Sequence, residues 1–216
     1  MGNMFTLAHE LGHAMHHYYS QEQHNAYADY TIFSAEIAST VNETILTEHM
    51  IQNTTDKNTR IHLLDEYIRR FNGIIFEQVM YAEFEMIVHK MAEDGEPLTP
   101  ESISEVFLSL YKKYNGPDYA TDEYTGIEWA SVPHFWMTFY VYQYATGYAA
   151  AVAFNKRIKS GDPKVLEDYI GFLKAGDSDY TINILKKAGV DMSTPAPIRE
   201  ALTVYEGLIS ELESCF

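Results

Sequence analysis

Residues 5–15 read Phe5-Thr6-Leu7-Ala8-His9-Glu10-Leu11-Gly12-His13-Ala14-Met15, and the reading of the whole chain turns on them. The run has no proline and is dense in Leu, Ala, Met and His, so a helix is expected from residue 5 to about residue 19. Helical positions four apart differ by about 40° in azimuth and one turn in height, so His9 and His13 project from one face. Two imidazole nitrogens so placed can each reach one zinc ion at about 2.0–2.1 Å. Glu10 lies about 100° round from His9, off the ligand direction but suited to stand beside a water held by the ion. Zinc lowers the pKa of such a water toward about 7, and Glu10 can take its proton as the water attacks a carbonyl. The competing reading is an amphipathic helix that carries both histidines toward solvent. Small and apolar neighbours around the pair favour the metal, and Gly12 lets a second helix come close.

A catalytic zinc needs a third protein ligand and an open position. Asp29, Glu36 and Glu43 are the downstream candidates. Glu36 and Glu43 are seven apart and share nearly one helical face, so one can bind while the other supports. Ser39 and Thr40, one turn beyond Glu36, are further supports. Glu43 alone reads equally as a solvated acid or a packing ion pair.

Outward from this motif the pattern is helix after helix. A helix is expected over residues 31–53, then a loop at Thr54-Thr55-Asp56-Lys57-Asn58. Residues 60–93 form one long apolar-periodic run that Asn72-Gly73 can bend. Thr99-Pro100 opens the next helix, with proline at its first position. Asn115-Gly116-Pro117 stops it. Residues 117–131 read as irregular. Pro133 opens an uncharged helix, and shorter ones follow over 163–175, 178–188 and 197–213. No segment alternates with period two, so the class is all-α, without internal repeats.

Residues 135–154 carry no charge, which is the length of a membrane span. They include Tyr140, Tyr142, Tyr144, Tyr148, Gln143, Thr138 and Thr146, polar handles that suit a helix buried in protein better than one in lipid. Among 216 residues, 15 are Lys or Arg against 31 Asp or Glu, a net charge of −16. Such a chain repels phosphate backbones and anionic membranes, which excludes a nucleic-acid binder. The one cysteine, Cys215, allows no internal disulfide framework. The first residues lack a basic and then apolar leader, so a cytoplasmic protein is expected.

The motif His9–His16 (HELGHAMH), followed by Phe33–Glu43 (FSAEIASTVNE), resembles the oligoendopeptidase F branch of the thimet oligopeptidase family of zinc metallopeptidases. Two further segments are similar to that branch: 133–147 (PHFWMTFYVYQYATG) and 172–180 (FLKAGDSDY), continuing through Ala188-Gly189-Val190-Asp191-Met192. The resemblance spans nearly the whole chain. It implies a helical zincin-like catalytic lobe that hydrolyses short peptides, with His9, His13 and Glu36 holding one zinc ion and Glu10 as the base.

It also implies a histidine and tyrosines over the zinc to hold the oxyanion, of which His134 matches the histidine. Were 133–154 one continuous helix, Tyr144 and Tyr148 would fall within about 80° and 40° of His134, and Tyr140 would point away. Tyr144 and Tyr148 are therefore the candidates, although any tyrosine here also reads as a core residue.

Two departures stand out. Gly176-Asp177-Ser178-Asp179-Tyr180-Thr181 replaces the family's frequent Gly-Gly-Ser-Asp-Tyr-Pro. Family members also carry a long helical region before the metal helix, which here begins near residue 5. The whole chain, 1–216, is thus expected to be the C-terminal catalytic portion of a longer enzyme, with an N-terminal lobe as its absent partner. Apolar surface that the lobe would cover is expected to be exposed or to pair with another copy, and peptidase activity to be weak or absent compared with the intact parent.

Two other classes compete. A ferritin-like bundle needs a second Glu-x-x-His element, and Glu85 with His89 has the wrong interval. A catalytically inactive helical scaffold would bind no zinc.

Overall fold

The computed structural model describes residues 2–216. It is all-helical, and no strand occurs among the described residues. The helices are α1 (Gly2–Ser20), α2 (Ile32–Asn53), α3 (Lys57–Phe71), α4 (Glu77–Glu93), α5 (Pro100–Asn115), α6 (Tyr142–Ile158), α7 (Pro163–Lys174), α8 (Thr181–Lys187) and α9 (Ala196–Glu213). Among the described residues no helix is long and apolar enough to cross a membrane. The chain divides into two compact units, Met1–Phe71 with Thr146–Phe216, and Asn72–Ala145.

In the first unit α1 packs on α2 and α7, and α3 packs on α9. Thr31 starts α2 by accepting a hydrogen bond from Ser34 N at its own hydroxyl, 3.3 Å away, which satisfies a backbone donor the helix cannot. Ala38 and Ser39, small and buried, are where α2 meets Gly12 of α1. The Ala149–Phe154 run of α6 is buried all round, as a helix must be when it is apolar on every face. Phe154 meets Tyr169 and Phe172 of α7 at ring-centroid distances of 5.2 and 5.4 Å. Asp162 caps α7 by accepting from Lys164 N at 2.9 Å, with Pro163 at the first helical position.

The second unit is built on Met80 and Phe84 of α4 against Phe107 and Leu110 of α5. Trp129, in a short 3-10 helix over Thr125–Ser131, packs on this cluster and donates its indole N–H to Ser104 Oγ, 3.1 Å away. Thr99 and Ser102 form a reciprocal capping box at the start of α5. Gly116, at φ 84°, ends that helix.

The long run over residues 60–93 is helical, and its interruption falls at Asn72-Gly73, where the hydrogen bonding loosens into a π-helical turn, Asn72–Phe76. Two expectations need correction. Residues 117–131 are partly helical, because the 3-10 turn that carries Trp129 falls there. Above all, Pro133 does not open a continuous helix. A 3-10 turn spans Pro133–Trp136, and α6 begins only at Tyr142. The break has a tertiary cause. Phe139 has φ 52°, strained for a bulky residue. Its N–H donates to the buried Glu85 carboxylate, 3.1 Å away, in place of a helical carbonyl.

Candidate metal centre

Helix α1 presents His9 and His13 one turn apart, as their spacing requires, with ring centroids 4.6 Å apart. Their Nε2 atoms are separated by 3.0 Å. Helix α2 brings Glu36 to the same point: Oε2 lies 3.5 Å from His9 Nε2, and Oε1 4.0 Å from His13 Nε2. Among the described residues this is the one group of three His, Cys, Asp or Glu side chains whose ligand atoms all lie within 4.8 Å of one another. Tetrahedral ligands at zinc bond lengths stand about 3.3 Å apart, near the 3.0 Å between the two Nε2 atoms and the 3.5 Å from His9 Nε2 to Glu36 Oε2, while His13 faces the other Glu36 oxygen at 4.0 Å. Both histidine side chains are 28% exposed and Glu36 31%, which leaves an approach for water and substrate.

Supporting contacts hold the trio. Gly12 brings α1 against α2 so closely that a Cβ there would lie 2.8 Å from Ala38 O. Asn42 Nδ2 donates to the Ala8 carbonyl over 2.6 Å, tying α2 to the backbone just before His9. Ser39 Oγ donates to Glu36 Oε2 at 3.3 Å.

Glu43, one of the alternatives for the third ligand, meets His9 at its other ring nitrogen. Its Oε1 is 2.5 Å from His9 Nδ1. A carboxylate there keeps the proton on Nδ1, so the Nε2 lone pair is free for a metal. Its hydrogen bond to Glu43, with the charges of Glu43, Glu36 and Glu10, raises the pKa of His9 against the effect of burial. Glu10 is exposed beside the trio. Glu43 Oε2 in turn meets Arg70 Nη1 of α3 at 2.5 Å. Neither Arg70 nor Asn42 was signalled by spacing, since each acts through a contact between separate helices.

His134 and Tyr144 meet within the second unit, His134 Nε2 to the Tyr144 hydroxyl at 3.2 Å. Tyr140 does not point away as a continuous helix would require. The chain break turns it back, and its ring stacks on His134 with centroids 5.5 Å apart and planes 8° apart.

Tyr148, one turn beyond Tyr144, is 2% exposed and lies edge-on to Phe71 in the core of the first unit. Burial drives its pKa up, and its hydroxyl has no hydrogen-bond partner. A phenol so enclosed is not presented to a peptide, which corrects its expected place beside Tyr144. His16 likewise belongs to the core, stacked on Tyr30 at 3.8 Å. Glu85 and His89 both contact Phe139, the first at its backbone and the second at its ring.

The profile of peptidase family M3 matches residues 1–204. The chain belongs to peptidase family M3. It is 47% identical to oligopeptidase PepF of Bacillus subtilis, over 99% of this chain and 32% of that protein. It is 42% identical to the oligoendopeptidase F homolog of Borreliella burgdorferi, over 99% of this chain and 36% of that one. The crystal structure of oligoendopeptidase-F from Enterococcus faecium superposes with a TM-score of 0.90 at 42% identity, covering 99% of this chain and 39% of the other. The chain thus spans about a third of the length of the curated relatives it matches.

Proposed function

We propose that this chain is the catalytic portion of a zinc-dependent endopeptidase that hydrolyses short peptides. The convergence of His9, His13 and Glu36 on one point, with Glu10 on the same helical turn, carries the reading. Membership of family M3 and the oligopeptidase names of its relatives support it.

His9, His13 and Glu36 hold the zinc, and Glu43 orients His9. When bound, zinc supplies a Lewis acid that polarises a carbonyl and acidifies water. Glu10 takes the proton from the attacking water and returns it to the departing amine. The family resemblance makes the Tyr144 hydroxyl, which meets His134, the candidate donor to the developing oxyanion. A donor of this kind is worth roughly 3–4 kcal/mol in comparable enzymes.

The remainder of the longer enzyme forms the other wall of the peptide channel. Leu7 and Leu11, 60% and 55% exposed on α1, form part of the surface that it, or a second copy of this chain, would cover. A cytoplasmic location fits the same reading.

Metal analysis with a fluorogenic peptide assay tests the proposal. One equivalent of zinc is expected in the purified chain, lost in His13→Ala, and peptide cleavage is expected to stop on chelation. Absence of zinc from the folded chain would overturn the assignment.

A further inference from the structure

A closed ring of contacts runs from α1 through α3 and α2 and back to α1. The Arg70 guanidinium lies over the Phe5 ring, 5.1 Å from its centroid. Its Nη1 meets Glu43 Oε2 at 2.5 Å, and Glu43 Oε1 meets His9 Nδ1 at 2.5 Å. Phe5 and His9 are four apart on α1, one turn from each other on one face. The two ends of the ring are therefore held by the same short stretch of helix.

From this ring we infer that Arg70 is a positioning residue for the metal centre, acting through Glu43. The inference rests on the zinc reading above.

A lone Glu43 carboxylate would have free rotation about its side-chain torsions, and each turn would aim the His9 ring differently. Arg70 removes that freedom, because its second oxygen contact leaves one orientation in which the first oxygen still accepts Nδ1–H. Arg70 is itself fixed: its side chain is 20% exposed and seated on Phe5. It also sets the charge. Glu10, Glu36 and Glu43 all act on His9, and the guanidinium balances Glu43, leaving Glu36 as the anionic ligand of the trio. The contact is an ion pair without hydrogen-bond geometry at Nη1, and arginine suits it because the guanidinium keeps its charge in a partly buried site.

The test is zinc affinity of the chain by competition with a chromophoric chelator, with helical ellipticity checked for every variant. Removing a partner that orients a ligating histidine costs about 10–100-fold in metal affinity. Arg70→Met is expected at the lower end, about tenfold, with Arg70→Lys between it and wild type. In a Glu43→Gln background, Arg70→Met should change the affinity by less than about twofold, since the group it acts through is already neutral.

Wild-type affinity in Arg70→Met, or the full loss persisting in the Glu43→Gln background, would overturn the inference while leaving the zinc reading intact. Failure of the wild-type chain to bind zinc would instead remove that reading. Should Arg70→Met lose helix, Arg70→Gln, which keeps a polar stem, takes its place in the same cycle with the same two outcomes.

Discussion

Gly12 and Ser39 meet backbone to backbone: a Cβ built on Gly12 would stand 2.5 Å from Ser39 Cα. No rotamer change can relieve that contact, so Gly12→Ala must push α1 from α2. It is expected to destabilise by roughly 1–3 kcal/mol, as overpacking does, and to weaken zinc binding by spreading His9 and His13 from Glu36. Gly171→Ala, where nothing lies within 4 Å, is the control. There the gain in helix propensity should stabilise by about 0.5–1 kcal/mol. Urea unfolding of both variants reads the contrast, and a Gly12→Ala chain as stable as wild type would contradict it.

Glu10→Gln keeps the side-chain shape and removes the proposed base. Zinc content and urea midpoint should match wild type, while peptide turnover falls by about 10²–10⁴, the usual worth of general acid–base catalysis. Turnover that survives the substitution would move the base elsewhere.

Tyr144→Phe removes only the hydroxyl that meets His134. Turnover number should fall about 10²–10³-fold, the loss seen when an oxyanion donor is deleted, with KM little changed. Tyr148→Phe, by contrast, removes a buried hydroxyl with no partner, so its turnover should be near wild type. Equal losses from the two would refute the division between them.

His16 gives the metal-free chain a pH dependence. Burial first, and then the charges of His13 and His17, lower its pKa from 6.5 to about 4. In the unfolded chain it takes up a proton as pH falls below about 6.5, whereas the folded chain resists until about pH 4. This part of the stability is complete above pH 6.5 and is lost as pH falls toward 4. At 1.36 kcal/mol per pKa unit, the loss by pH 4.5 is about 2–3 kcal/mol. His16→Phe keeps the ring stacked on Tyr30 and cannot titrate. Between pH 7.5 and 4.5, in chelator, wild type should therefore lose about 2–3 kcal/mol more stability than the variant. Parallel pH profiles would show that His16 is protonated in the fold.

Turnover by the 216-residue chain should be well below that of a full-length relative such as PepF, on the proposal that the rest of the enzyme forms the second channel wall. The same fluorogenic peptide on both proteins measures this, and equal rates would remove the wall from the mechanism.

Much of the architecture was legible in local pattern. Proline at Pro100 and Pro163 and glycine at Gly116 marked helix ends that the structure keeps within a residue or two. The i, i+4 spacing of His9 and His13 placed both rings on one face because a helix has a fixed period. The uncharged run after Pro133 misled for the opposite reason. Its local pattern is helical throughout, but Glu85, 54 positions away from Phe139, captures the Phe139 N–H and breaks the helix. The azimuths assigned to Tyr140, Tyr144 and Tyr148 failed with it.

Read as a string, the chain already settles its helical class, its family and the pair of imidazoles, since each depends on spacing within a few turns or on motifs in order. Which carboxylate faces the imidazole Nε2 atoms and which takes the far side of His9 was open until α1 and α2 packed. Glu36 and Glu43 share one helical face and are chemically alike. Only the close approach at Gly12, the hold of Asn42 on Ala8 and the cation of Arg70 distinguish them, and those contacts join residues that no local period relates.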